Sequence, residues 1–561
     1  MNAPLPPSDI DDIAELRRRL IASETALAQK SYLIDKLEEI IARLQHRQWG
    51  ASSERHPDQV ELSLFEEAEV IAMGGAGDDA DDGDDTDAAG DEASNDGDDD
   101  AAAPTKPAKP TGTRGGRRSL PKDLERVRVE HALVGDACRG ACGAELVEIG
   151  EEVTEQLALV PEQHFVIQIV RKKYACSCKE CGVSTSVAPA APLPGSQASP
   201  EILAHAMVAK YLDGIPLARQ ERMAAREGLE LSRAKLARWL IAAFVVLRPL
   251  YNLIEDELFE YDIVQSDDTG IQVLKEPGRA PSTRSALWIR RGGPPERPVV
   301  LVDYRETKSA AAGATLLEGV RAKTYLVVDA AQSFEAIARI HDLVPVLCND
   351  HARRKFVEAD RGAKAAARGG GVPGSIAAKA IGFYKKLYRL ERDAKLRGLT
   401  SAQRHHRRRS QAVATWETFT GWARKTREAG VRDRGTRMAL DYLLNHETGL
   451  RRYCDDGRLP ISNIASEHVA KTIAVPRKNF LFADTPAGAS ASALIYSLIE
   501  SARANGHEPR RYLTIALAEL PGAASVEAIE ELLPWNVTGE EIRRRYAARP
   551  KPTGSAKKAS P

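Results

Sequence analysis

Between residues 261 and 350 the chain alternates short apolar runs with turns and helical stretches, and two of those runs end in aspartate. The strand-like runs are YDIVQSDD (261–268), ALWIRRG (286–292) and PVVLVDY (298–304), separated by Gly/Pro-rich turns. A helical stretch at 309–320 leads into TYLVVDA (324–330), and a short helix at 333–340 leads into VPVLCND (344–350). This pattern predicts the order β-β-β-α-β-α-β, because apolar runs of four to eight residues bounded by turn signals read as strands. Strands joined through a helix are parallel neighbours in one sheet. The first and fourth strands can then lie side by side, which would bring Asp267, at the end of the first, close to Asp329, at the end of the fourth.

That strand order is the arrangement of ribonuclease-H-like nucleases. Two divalent metal ions roughly 4 Å apart clamp the attacking and leaving oxygens of a phosphodiester, and holding them takes a bridging carboxylate and further acids. Asp267 or its neighbour Asp268, together with Asp329, supplies two of these. The third has to come from elsewhere, and Glu467 stands in ISNIASEHVAKTIAVPRKNFLF (461–482), a segment that reads as a helix. Taken singly, each acid has a simpler reading as a strand-terminal residue capping the next turn. Nearly 140 residues separate Asp329 from Glu467, many of them in a basic helical insertion whose charge suits a phosphate backbone or merely a solvated surface.

Length and charge set the rest of the frame. At 561 residues the chain exceeds a single core. Its formal charge of −1 hides a segregation: residues 78–100 carry thirteen acids and no base, which leaves the remainder at +12. A basic protein with an acidic insert suits a polyanionic partner. No uninterrupted apolar run approaches membrane-spanning length, and the N-terminus lacks a signal pattern. A soluble, cytoplasmic protein with no membrane partner is expected.

Residues 9–49 carry a heptad repeat. Ile13, Leu20, Leu27, Ile34 and Ile41 recur every seven residues, Leu16, Leu37 and Leu44 follow three later, and Ser23 and Lys30 interrupt the second seam. The pattern predicts a coiled coil and hence a homo-oligomer. The stretch 68–120 is Asp/Gly/Ala-rich and then Pro/Lys/Thr/Arg-rich, the composition of a disordered linker. In a zinc-binding unit at 121–198, Cys138 and Cys142 face Cys178 and Cys181 as two short-spaced pairs, with Cys176 able to replace Cys178. Four thiolates fill a tetrahedral site, so such a Zn²⁺ is structural.

Residues 199–258 read as a helical DNA-binding unit. Gly228 ends one helix and Ser232 starts the next, in helix-turn-helix fashion, with Arg233, Lys235 and Arg238 near the start of the second helix. An ordinary helical hairpin fits the same pattern. The remaining expected units are the first part of the catalytic domain (259–357), the basic insertion (358–455), the second part carrying the Glu467 helix (456–505) and a C-terminal helical region (506–548).

These segments, in this order, resemble the DDE-type transposases of the insertion sequence 66 family from about residue 10 to 536. RLQHRQWGASSER, KYACSCKECG, SDDTGIQVL, LVVDA, CNDHARRKF, NIASEHVAKTIAVPRKNFLF, IYSLIESARANG and ELLPWN carry the likeness. The resemblance implies that Asp267, rather than Asp268, joins Asp329 and Glu467 in binding two Mg²⁺ (or Mn²⁺) ions for DNA cleavage and strand transfer. It also implies double-stranded DNA as partner, both element ends and target, and accessory proteins encoded by the same element. His351, Arg353, Arg354, Lys355, Arg477 and Lys478 are candidates for phosphate contact. Ser462, Asn463 and Ile464 stand where the family usually has Asp-Asn-Asn, Asn349-Asp350 replaces Trp-Ala, and Gly270 replaces a proline; His468 and Lys471 replace arginines. A catalytically impaired, transposase-derived DNA-binding protein is the alternative these departures leave.

Overall fold

The computed structural model describes residues 163–175, 183–366 and 375–551, and those from Ile169 onward belong to one compact unit. The expected coiled coil, the linker and all five cysteines of the zinc-binding unit lie outside the described residues. Strands β1 (Lys173–Ala175) and β2 (Val183–Thr185), which flank three of those cysteines in sequence, pair antiparallel.

Three helices follow: α1 (Pro200–Tyr211), α2 (Leu217–Arg226) and α3 (Arg233–Glu260). Ser199 caps α1, accepting from the Ile202 amide, and Pro200 takes the first turn, where a missing N–H costs nothing. Gly228, at φ +76°, adopts the left-handed conformation just past α2, and the Ser232 hydroxyl accepts the Lys235 amide to cap α3. By length and composition α3 could cross a membrane. Here it buries Leu236, Leu240, Leu247, Leu250, Ile254 and Leu258 in the protein core instead.

The principal sheet has six strands in the order β5-β4-β3-β6-β7, with β8 added to β3. They are β3 (Ile263–Val273), β4 (Arg284–Gly292), β5 (Val299–Arg305), β6 (Tyr325–Val328), β7 (Val344–Leu347) and β8 (Phe482–Ala483). β3, β4 and β5 form an antiparallel meander, while β6 pairs parallel to β3 and β7 parallel to β6. The first and fourth strands of the set are therefore neighbours, across the crossover that contains α4 (Ala310–Ala314). Ser285 to Arg290 of β4 are buried without alternation, which requires cover on both faces.

Helix α5 (Gln332–Ile340) joins β6 to β7, and α6 (Asn349–Ala366) follows β7 directly. The insertion then contributes α7 (Ile376–Leu396), α8 (Ser401–Arg407), α9 (Val413–Glu428), α10 (Arg434–Asn445) and α11 (Glu447–Arg451). Its own centre is aromatic: Tyr384, Trp416 and Phe419 are fully buried, and Phe383 stacks on Phe419 at 4.7 Å. The basic run at 402–411 is not a uniform outer face. Arg408 is buried in a π-helical turn, paired with Glu391 at 2.6 Å and donating to the carbonyls of Tyr453 and Asp456. Its charge is consumed in tying the insertion together.

Helix α12 (Ile464–Phe480) returns to the sheet, and α13 (Pro486–Ala504) covers the β5 edge. The free edge of a strand needs partners for its backbone groups. Ser497 and Ser501, one turn apart, provide them: the Val302 and Val300 amides donate to their hydroxyls at 2.7 and 3.1 Å, and the hydroxyls donate back to the carbonyls of the same two residues. Asn505, four residues further on, donates to the Pro298 carbonyl. Ser501→Ala should cost about 1–3 kcal/mol, measured by urea unfolding, because it strands a buried amide and a buried carbonyl; Ser501→Thr should cost less if the hydroxyl is what matters. The last elements among the described residues are α14 (Pro509–Glu519), which packs on α1, then α15 (Val526–Glu530) and α16 (Gly539–Ala547). The 199–258 helices thus share one core with the sheet and the C-terminal region.

Candidate metal centre

The pattern expected Asp267 to close its strand, and the structure corrects this. β3 runs on to Val273, because Ile271 and Val273 continue the buried alternation, β4 pairs with it as far as Gln272, and β8 pairs with Gln272 and Val273. What ends near Asp267 is the parallel pairing with β6, which covers only Ile263 to Gln265, since β6 stops at Val328. Pairing on that side resumes at Gln272 with β8. In the interval α12, the helix that carries Glu467, lies against β3, the strand that carries Asp267.

Successive strand residues face opposite sides, so Asp267 and Asp268 part company. Asp268 forms an ion pair with Lys308. The half-buried Asp267 accepts the Asp268 amide at 2.8 Å and shares its surroundings with other carboxylates. Burial, then repulsion from Glu467, Asp268 and Asp329, push its carboxyl up to about 8, against the opposing pull of that amide. Asp329 follows β6, and its Oδ1 accepts the Ala331 amide at 3.0 Å. The capping role open to any strand-terminal aspartate is therefore present, and its charge is felt at Asp267 all the same.

Glu467 occupies the first turn of α12 and is buried. Burial and the charge of Asp350 push it up to about 7, opposed by Arg354, by a hydrogen bond from Cys348 and by Lys471. Its Oε1 accepts from Cys348 Sγ at 3.5 Å and stands 3.5 Å from His351 Nδ1. Burial, then the neighbouring Arg354, hold His351 below its ordinary range. The start of α12 is fixed by Asn463, whose side chain donates to the Ser266 carbonyl at 2.8 Å and whose amide donates to Cys348 Sγ at 3.2 Å.

The donor set fits a hard divalent cation. The largest charge effects on Asp267 all come from carboxylates, and such a group in a sheltered pocket is stable only when protonated or when a cation is present. Cys348 was not anticipated from the sequence. The signal was there in the Cys-x-x-His spacing of Cys348 and His351, which sets both near the start of one helix.

The candidate DNA contacts are placed unequally. Arg233 and Arg238 are exposed in the first turns of α3, while Lys235 is half-buried, donates to Gln197 at 2.6 Å and lies over the Trp239 ring. Lys355 and Lys478 are exposed, Arg354 is half-buried beside Glu467, and Arg353 is buried within α6. Arg477 is half-buried, its guanidinium 3.4 Å from Thr269 Oγ1 and depressed by burial. It lies about 15 Å along α12 from Glu467.

Four family models match the chain. Residues 195–491 match the one described as Transposase IS66 family, and 497–535 match the IS66 C-terminal element. Residues 136–182 match the zinc-finger binding domain of transposase IS66, a window that holds all five clustered cysteines and supports a structural zinc. Residues 36–129 match the model described as Transposase C of IS166 homeodomain. Among curated relatives, the uncharacterized protein y4jD of Sinorhizobium fredii is 29% identical over 75% of this chain and 82% of its own length. The uncharacterized protein y4hP of the same organism is 30% identical over 76% and 77%.

Proposed function

The chain belongs to the IS66 transposase family, and on that premise we propose that it binds the ends of an insertion element and catalyses metal-dependent DNA cleavage and strand transfer. What supports the proposal is that Glu467 and Asp329 both act on the charge of Asp267, and that Glu467 lies on a helix packed against the strand of Asp267, in a sheet of order β5-β4-β3-β6-β7 that we read as ribonuclease-H-like. Asp267, Asp329 and Glu467 would hold the divalent ions, Mg²⁺ or Mn²⁺. Bound there, such ions activate the attacking oxygen and stabilise the leaving one. The protein's own part is positional. Asp268 is withdrawn by Lys308, Asn463 fixes the start of the Glu467 helix against β3, and the exposed Arg233, Arg238, Lys355 and Lys478 offer phosphate contacts. Lys235, Arg353, Arg354 and Arg477 are more enclosed and would act closer to the protein framework.

The substituted residues near Glu467 are built into the fold. Asn349 donates to the carbonyls of Leu450 and Ile461 at 2.9 and 3.0 Å, and Asp350 accepts from the Tyr388 hydroxyl at 2.5 Å. With Asn463 they form an ordered shell that binds the sheet to the insertion. Structural zinc on Cys138, Cys142 and Cys181 with Cys178 or Cys176, pairing of subunits through 9–49, and work on chromosomal DNA in the cytoplasm complete the reading.

The purified full chain, given a duplex carrying a cognate element end and Mg²⁺ or Mn²⁺, should nick that end and join it to target DNA. Cutting without joining would mark a nuclease. Tight binding without cutting would mark a DNA-binding derivative, and either result overturns the proposal.

A further inference from the structure

We propose that Cys348, His351 and Glu467 form a second kind of metal site, one for a single thiophilic divalent cation such as Zn²⁺, and that filling it switches off the hard-cation chemistry of the neighbouring carboxylates. The site itself stands on geometry alone; the switching rests on the function proposed above.

Cys348 precedes the first residue of α6 and His351 lies in its first turn, while Glu467 reaches them from α12. One ligand atom from each residue lies within 4.8 Å of the others. Both Cys348 Sγ and His351 Nδ1 are 3.5 Å from Glu467 Oε1. A tetrahedral zinc with bonds of about 2.3 Å to sulfur and about 2.0 Å to nitrogen or oxygen separates its ligand atoms by roughly 3.3–3.6 Å. Two of the three separations already have that value.

The surroundings also favour an ion. His351 Nδ1 is shielded from solvent and makes no hydrogen bond, which is costly for a buried ring nitrogen without a ligand. Two backbone amides, those of Asn463 and His351, point at Cys348 Sγ. Donors placed this way orient a metal-bound thiolate and stabilise its charge. Sulfur, imidazole and one carboxylate together select zinc or cobalt over magnesium, whereas the Asp267–Asp329 side of the pocket offers only oxygen. Glu467 belongs to both sets. A cation held by Cys348 and His351 engages its Oε1 and takes from Asp267 and Asp329 the acid they share.

The test uses the full chain with its cysteine cluster already saturated with Zn²⁺, titrated with Co²⁺ in excess Mg²⁺. One further Co²⁺ per chain should bind, with the near-ultraviolet thiolate-to-cobalt band and the visible bands of a four-coordinate ion. Cys348→Ser should lose the thiolate band and weaken binding by on the order of a hundredfold. His351→Asn should weaken it similarly, and decides the matter if the serine variant does not fold. Cobalt binding without the thiolate band, or a band that survives in Cys348→Ser, overturns the site. In the cleavage assay, zinc should stop the Mg²⁺-dependent reaction of the wild type. Cys348→Ser should need on the order of a hundredfold more zinc to halve its own rate. Equal sensitivity overturns the switch and leaves the site standing. Should the chain not cleave DNA under any condition, the cobalt titration still decides whether the site exists.

Discussion

Asp267→Asn is expected to abolish cleavage and, in the absence of metal, to make the protein more stable than wild type at pH 8. In the folded state this carboxyl is pushed up to about 8 by burial and by the charges of Glu467, Asp268 and Asp329, while in the unfolded chain it titrates near 3.8. Between these two values the folded form holds a proton that the unfolded form has lost. Stability therefore falls as pH rises through the window; the contribution is complete below about pH 4 and gone above about pH 8. Four units would correspond to about 5 kcal/mol for an isolated group. Glu467 titrates in the same pocket, so a few kcal/mol is the realistic size. An amide does not titrate, and the variant's advantage should grow from pH 4 to pH 8. Added Mg²⁺ should stabilise the wild type at pH 8 and leave the variant unchanged, because only the wild type offers the site. Loss of a metal-binding acid removes several kcal/mol of transition-state stabilisation, on the order of a thousandfold in rate. Asp329→Asn should lose cleavage to the same degree while keeping its affinity for the element end. Cleavage by either variant within tenfold of wild type, or a stability difference for Asp267→Asn that ignores pH, would sink the assignment.

The sequence carried the strand order well, because each strand announces itself locally. The apolar runs at 261–268, 286–292, 298–304, 324–330 and 344–350 each contain a strand, although Asn349 and Asp350 of the last already belong to α6, and the helix between the third and fourth made the latter a parallel neighbour of the first. Gly228 and Ser232 marked the turn before α3 for the same local reason. Features set by distant partners were hidden. β3 continues past Asp267 because β4 pairs with it that far, and Arg408 is buried because Glu391 and two carbonyls of a later turn receive it. Nothing in a serine's own neighbourhood says that Ser497 and Ser501 satisfy a strand edge nearly two hundred residues away. Cys348 fell between these cases. Its spacing to His351 was visible, but its role depends on Glu467, which arrives from a helix beyond the whole insertion.

The largest loss of stability is expected from Arg290→Met. Arg290 is fully buried on β4 and donates to Asp303 through Nε and Nη2 at 3.0 and 2.8 Å, to Glu255 at 2.5 Å and to the Tyr251 hydroxyl at 3.0 Å. Its other terminal nitrogen donates to the Leu316 carbonyl at 2.6 Å. Burial alone would disfavour its charge, yet Asp303, Tyr251 and Glu255 hold it above its ordinary value. Methionine fills much of the volume and leaves the buried Asp303 without its cation, held only by the Tyr251 hydroxyl, which donates to Oδ1 at 2.6 Å; losing one partner of such a buried pair costs about 3–5 kcal/mol. Adding Asp303→Leu should recover a large part of that, since an apolar pair replaces a stranded charge, and the two changes should couple strongly in a double-mutant cycle. The effect should also reach the metal centre. Arg290 pairs in register with Ser266, whose hydroxyl donates to the Ile289 carbonyl, and Ile289 is the partner of Asp267. Urea unfolding measures the first consequence and the cleavage assay the second. A loss below about 1 kcal/mol for Arg290→Met would mean that the Tyr251 hydroxyl alone satisfies Asp303, and the network would then be dispensable to the fold; cleavage at the wild-type rate would show it dispensable to the metal centre as well.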